Sequence, residues 1–168
     1  MPANGNRSLD RLLRTFRGHI RTHNLPRPDR LVIFTKTRSV HAEFTSGLPV
    51  DRFAAVLSWT ATLHHLNIGL TFDGRDELRL AATGRSGSGP AIGLACSAPV
   101  LDLGGTVEHF DQPSPLPNRF AFLPGLPMLF YGKSDYATFD QLTGLVAHAR
   151  TVAASENVAA DRALGVVA

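Results

Sequence analysis

The stretch Ile68–Ser97, IGLTFDGRDELRLAATGRSGSGPAIGLACS, decides the fold. Three runs within it alternate apolar and polar residues with period two: Ile68/Leu70/Phe72, Leu78/Leu80/Ala82 and Ile92/Leu94/Cys96. Successive side chains of an extended strand point to opposite faces, so each run predicts a strand with one buried face. Asp73-Gly74 suits a tight turn between the first two, and GRSGSGP at Gly84–Pro90 makes a looser hairpin tip. The predicted strands Ile68–Asp73, Glu77–Thr83 and Ala91–Ser97 therefore form an antiparallel meander.

Toward the N-terminus, Leu31–Thr35 is a continuous apolar and β-branched run, and Val40, Ala42 and Phe44 alternate with His41, Glu43 and Thr45. These predict a hairpin turning near Lys36–Ser39. Pro49 opens a helix in which Val50, Phe53, Val56, Leu57, Thr60 and Leu63 share one face down to about Leu66. In that helix Trp59 falls at the edge of the apolar face, His64 on its core side and His65 away from it. A leading helix, capped by Asn6 or Ser8 and running to about His23, gathers Leu9, Leu12, Leu13, Phe16 and Ile20 on one side. Its other side carries Arg7, Arg11, Arg14, Arg17 and Arg21, and Asn24, Pro26 and Pro28 end it.

Beyond Pro99, Thr106–Asp111 reads as a further strand. Residues 113–127, with five prolines, read as a wrapping loop. A last helix from about Asp135 to Ala153 rests on Phe139, Leu142, Leu145, Val146 and Ala149. Residues 1–5 and 155–168 read as flexible ends, the latter alternatively as one more helix. The order α-β-β-α-β-β-β-(β)-α, with about five mostly antiparallel strands, predicts an α+β two-layer sandwich with helices on one face. A single domain spanning 1–168 is expected.

Composition narrows the class. The chain has 168 residues, of which 43% are hydrophobic and 18% charged, enough to bury a core and unlike a disordered tail. Cys96 is the sole cysteine, so no internal disulfide or Cys-based zinc site can form, which fits a reducing cytoplasm. No secretory leader pattern opens the chain. The longest uncharged run, Ser86–Leu101, is broken by Gly and Pro and falls short of the about 20 residues a membrane span needs. Fifteen arginines against two lysines, amid much Ala, Gly and Pro, match the composition of a GC-rich bacterial genome. Arginine abundance alone therefore says little, and arginine placement says more.

That placement is uneven. Seven arginines against Asp10 and Asp29 give the first 30 residues a net charge of +5, in a chain whose total is +3. The stripe Arg7, Arg11, Arg14, Arg17, Arg21 is suited to nucleic-acid phosphate or an acidic protein face, and less to an anionic membrane surface, because the core needs the helix's apolar side. It lacks the Asn and Gln that read base edges, so base-specific contacts are not expected. Phe16–His23, FRGHIRTH, resembles the end of a C2H2 zinc-finger helix, but no cysteine precedes it. No metal or cofactor is expected.

Two pairs at strand spacing, His41 with Glu43 and His109 with Asp111, could each orient an imidazole and are the weak catalytic candidates. No G-x-S-x-G nucleophile motif occurs, and GRSGSGP precedes a strand and not a helix, which excludes a phosphate loop. The sequence reads as a non-catalytic binding or accessory protein. One alternative is a small enzyme or ligand-binding fold using those four residues on the open sheet face. Another is an assembly subunit, a homo-oligomer among them, whose apolar Pro-rich segment PNRFAFLPGLPMLFYG forms the contact.

Overall fold

The computed structural model describes residues 3–110 and 118–165. In chain order the elements are α1 (Ala3–His23), β1 (Arg30–Phe34), β2 (Ser39–Phe44), α2 (Pro49–Thr60), β3 (His64–Asp73), β4 (Glu77–Arg85) and β5 (Ala91–Pro99). A 3-10 turn at Leu101–Leu103 leads to β6 (Thr106–His109), β7 (Arg119–Phe122), β8 (Leu129–Phe130), β9 (Ser134–Tyr136) and α3 (Phe139–Gly165). The architecture is α+β, with helices stacked on one face of a sheet. Among the described residues no helix is long and apolar enough to cross a membrane.

The main sheet has six strands in the order β1-β2-β5-β4-β3-β9. The β3-β4-β5 meander forms as the alternation predicts, with Leu70 opposite Leu80 and Leu80 opposite Cys96. The expectation of about five strands is exceeded by β9, which adds to β3 at the edge. One pairing is parallel: β2 runs alongside β5, with Ser39 opposite Ala91 and Phe44 opposite Cys96. This follows from the connection, because α2 carries the chain across the sheet to β3 and the meander then returns strand by strand until β5 meets β2. The remaining strands form a separate three-stranded sheet, β6-β7-β8.

Alternation sorts the residues of the main sheet cleanly. Val40, Ala42 and Phe44, Leu70 and Phe72, Leu78 and Leu80, and Ile92 and Leu94 are buried on the helix side. Their neighbours His41, Arg79, Ala81 and Thr83 are exposed on the other. Helix α2 packs on β5 and β4, and α3 packs on α2 and on the 3-10 turn.

Several boundaries differ from the sequence expectation, each for a local reason. Helix α2 stops at Thr60 and not near Leu66. The Thr60 and Thr62 hydroxyls donate to the carbonyls of Leu57 and Trp59, and the chain turns there. His64 and His65 consequently open β3, where both are exposed and His65 adopts φ +53°. Strand β7 falls inside the Pro-rich stretch 113–127, so that stretch is a loop only in part, and residues 111–117 lie outside the described ones. The last helix starts later, at Phe139, because Ser134–Tyr136 pairs with β3. Its start is a capping box: the Thr138 amide donates to Gln141 Oε1 at 2.9 Å and the Gln141 amide to Thr138 Oγ1 at 3.2 Å. It then runs past Ala153 to Gly165, so the described part of 155–168 continues α3 and does not form a separate helix.

Helix α1 begins by Ala3, earlier than Asn6, while Met1 and Pro2 lie outside the described residues. Asn24 ends it in the left-handed conformation, φ +50°, and the Leu25 amide bonds back to the Ile20 carbonyl at 3.0 Å. Buried Leu25 completes that stop. Asp29 locks the next corner, its carboxylate accepting from the Thr45 and Ser46 amides at 2.7 and 2.9 Å. These bonds, with the Ser46 hydroxyl foremost, lower its pKa to about 2.

Trp59, expected at the edge of its helix, is instead fully buried at 0% exposure. Its Nε1–H donates to the Pro26 carbonyl at 2.8 Å, Phe16 stacks on it at 5.1 Å, and Phe44 meets it edge-on at 6.5 Å. Truncation of a buried tryptophan costs about 3–5 kcal/mol. Trp59→Ala is therefore expected to lower the denaturation midpoint far more than Trp59→Phe, which keeps the stacking and loses the hydrogen bond. Urea melts followed by circular dichroism check the order, and equal midpoints for the two variants would contradict it.

Candidate functional site

The amphipathic pattern of α1 is realised in three dimensions. Leu12, Phe16 and His19 are buried, and Arg7, Arg11, Arg14, Arg17 and Arg21 are all exposed. Among the described residues none of the five guanidinium groups lies within 4 Å of a carboxylate, since the ion pairs join Arg30 to Glu43, Arg79 to Asp73, Arg119 to Asp76 and Arg150 to Asp51. Of the two acids in this part of the chain, Asp29 is committed to Thr45 and Ser46, and Asp10 stands exposed within the stripe.

The stripe borders cavities on both of its flanks. On one flank a groove of about 940 Å³ separates α1 from the tips of the β1–β2 and β4–β5 hairpins, and Arg7, Arg11 and Arg14 face Arg38, Ser88 and Gly89 across it. On the other flank Arg17, Arg21 and Arg27 rim a hollow of about 400 Å³ whose floor includes Leu13, Ile20 and Leu31. Arg27 and Arg38 are additions that helical periodicity could not supply, because neither lies on the helix.

His19 explains how α1 is held. Its Nε2 lies 2.8 Å from Thr62 Oγ1 and its Nδ1 lies 2.9 Å from Ser86 Oγ. The Thr62 hydroxyl spends its proton on the Trp59 carbonyl, so it must accept from His19 Nε2–H. Nδ1 then accepts from the Ser86 hydroxyl, which makes the neutral Nε2–H tautomer the one that satisfies every group. The second histidine of FRGHIRTH, His23, lies with its ring 4.5 Å from that of His19. Both ring nitrogens of His19 are thus engaged by hydroxyls, and among the described residues no three His, Cys, Asp or Glu side chains group to hold a metal.

The other candidates are placed as follows. His41 and Glu43 share the face of β2 away from the helices, as period two requires. The His41 ring meets Phe34 edge-on at 5.3 Å and lies over Gly93, where a Cβ would come within 2.7 Å of Nδ1. Glu43 turns to its cross-strand neighbour Arg30, 3.6 Å away, and is not hydrogen-bonded to His41. His109 lies exposed on β6 in the other sheet, opposite Arg119. His41 and Glu43 thus belong to one sheet and His109 to the other, and Asp111 lies outside the described residues.

The aromatic residues of the Pro-rich region pair with each other. Phe120 meets Phe110 at 5.0 Å and Phe130 at 5.1 Å, while Ala121 and Leu129 face the core. Cys96 is buried, and burial pushes its thiol up to about 12, so it is no nucleophile at neutral pH. Compared with known proteins, the chain matches no family model, no curated protein and no solved structure.

Burial and the neighbouring His23 lower the pKa of His19 below its ordinary 6.5. An unfolded chain then takes up this proton before the folded one does as pH falls. The stabilisation is complete above about pH 6.5 and declines as pH drops through the lowered folded value. Thermal melts between pH 7.5 and 5 are expected to show the midpoint falling in the wild type and a smaller fall in His19→Gln. Identical pH profiles for the two proteins would show that the His19 junction does not carry the effect.

Proposed function

We propose that this chain is a non-catalytic binding or accessory protein that takes a macromolecule bearing repeated negative charge, nucleic-acid phosphate or an acidic protein face, on the outer side of α1. The observation that carries the reading is the set of five exposed stripe arginines with no carboxylate within 4 Å among the described residues. Guanidinium groups present a planar fork of donors that matches phosphate or carboxylate oxygens, and an unengaged row of them is an unfilled set of charge-assisted hydrogen bonds.

The arrangement is also one that the helix alone would not favour. Arg7/Arg11 and Arg17/Arg21 are four apart, and Arg11/Arg14 and Arg14/Arg17 three apart, so neighbouring like charges repel along the whole face. Each such pair costs an isolated helix about 0.2–0.5 kcal/mol, and Asp10 offsets only part of this. Packing of Leu12, Phe16 and His19 holds the helix in place despite the repulsion. An anion laid along the stripe would remove it.

Binding to a 24-base-pair DNA duplex, a single-stranded RNA and polyglutamate, measured by fluorescence anisotropy, tests the proposal. If up to five arginines each engage a duplex phosphate, the plot of log K against log salt has a slope of about −3 to −5. Arg11→Glu with Arg14→Glu is expected to abolish binding. Its melting temperature should equal or exceed that of the parent, because the new charges relieve repulsion at exposed positions. Binding to all three probes that is indifferent to salt, or unchanged by the double substitution, would overturn the proposal.

A further inference from the structure

The groove beside α1 is more specific than a charged stripe. Arg7, Arg11 and Arg14 supply one wall and Arg38 faces them from the β1–β2 turn, with Asp10 as the only carboxylate among the described residues of the lining. No described carboxylate comes within 4 Å of any of these four arginines. Four guanidinium groups from two separate elements thus line one space in which, among the described residues, Asp10 is the sole counter-charge.

Arg38 provides an independent observation. Its backbone is left-handed, φ +50°, a conformation that glycine or asparagine takes at far lower cost than arginine. The turn is pinned, because the Arg38 carbonyl accepts from the Ala91 amide at 3.2 Å and the next residue, Ser39, is in register with Ala91. A strained backbone that carries an exposed cation into a groove, with no ion pair of its own among the described residues, points to a ligand contact.

The rest of the lining selects the class of ligand. Ser8, Thr15, Ser88 and Gly89 offer hydroxyls and backbone, and the apolar members Leu12 and Pro90 are themselves buried. A protein partner would want an apolar, charge-poor centre to its contact, and this groove has the reverse. Among the described residues of the lining there is no Asn or Gln to read a base edge. Arg7 to Arg14 spans about 10 Å of helix, long enough for more than one phosphate.

We propose that the groove between α1 and the β1–β2 turn seats the phosphodiester backbone of a nucleic acid without regard to base sequence, and that Arg38 grips it from the side opposite α1. This rests on the anion-binding reading of α1 and narrows it to phosphate. Arg38→Gly is the decisive variant, since glycine accepts φ +50° more readily than arginine and should leave the melting temperature unchanged or raised. Should glycine loosen the turn, Arg38→Gln removes the charge and keeps the bulk.

With a fluorescein-labelled 15-nucleotide DNA strand and its duplex in 0.1 M salt, loss of Arg38 is expected to weaken binding about five- to tenfold and to make the salt slope shallower by about 1. Arg38 variants that bind like the parent, while Arg11→Glu with Arg14→Glu does not bind, would remove the groove and leave the α1 reading standing. No effect from either set would remove both. Polyglutamate that displaces the DNA as well as an unlabelled strand of equal charge does would overturn the assignment to phosphate in favour of an acidic protein.

Discussion

The buried indole of Trp59 fixes the part of the molecule on which any function of α1 depends. A helix lying on a protein surface can roll about its axis, and the roll decides which side chains face outward. Here Phe16 stacks on Trp59, the His19 ring lies 5.7 Å from it, and the Pro26 carbonyl after the helix accepts its Nε1–H. Three contacts from two parts of the chain meet one rigid ring, so α1 is held at one roll angle. The arginines point outward because the residues on the opposite side of the helix have nowhere else to go.

The same hub shows which features a sequence carries locally and which it does not. Strands β3, β4 and β5 follow from alternation over a few residues each, and the apolar side of α1 follows from its helical period. The parallel pairing of β2 with β5 joins Ser39 to Ala91, far apart in the chain, and no local pattern encodes which strand a meander will meet when it returns. Trp59 departs from its predicted place for a related reason. Its angle on α2 put it at the edge of the apolar face, and it is buried only because α1 and the segment after it close over that edge. The start of α3 is encoded locally in the four-residue capping signature Thr138-Phe-Asp-Gln141, which helical periodicity alone, pointing to about Asp135, passes over.

The candidate site divides along the same line. The stripe of five arginines could be read directly, since all of it lies on one helix. Arg38 could not, because its position opposite α1 depends on the β2–β5 register and on the bond between its carbonyl and the Ala91 amide. His41 and Glu43 do share a face as period two requires, yet Arg30 claims the carboxylate across the strand pair. Spacing along a strand establishes a common face and leaves open which neighbour a charge will choose.

The histidine that first suggested a metal site turns out to join the two walls of the groove. Ser86 belongs to the β4–β5 tip and Thr62 to the turn after α2, and His19 bonds to both from α1. One imidazole, acting as donor on one side and acceptor on the other, therefore ties α1 to that tip. A charged imidazole would lose the acceptor and add another positive charge to a wall that already carries Arg7, Arg11 and Arg14. The neutral form serves both needs at once: it satisfies the hydroxyls that position the helix, and it keeps the positive charge on the solvent side, where an anion can reach it.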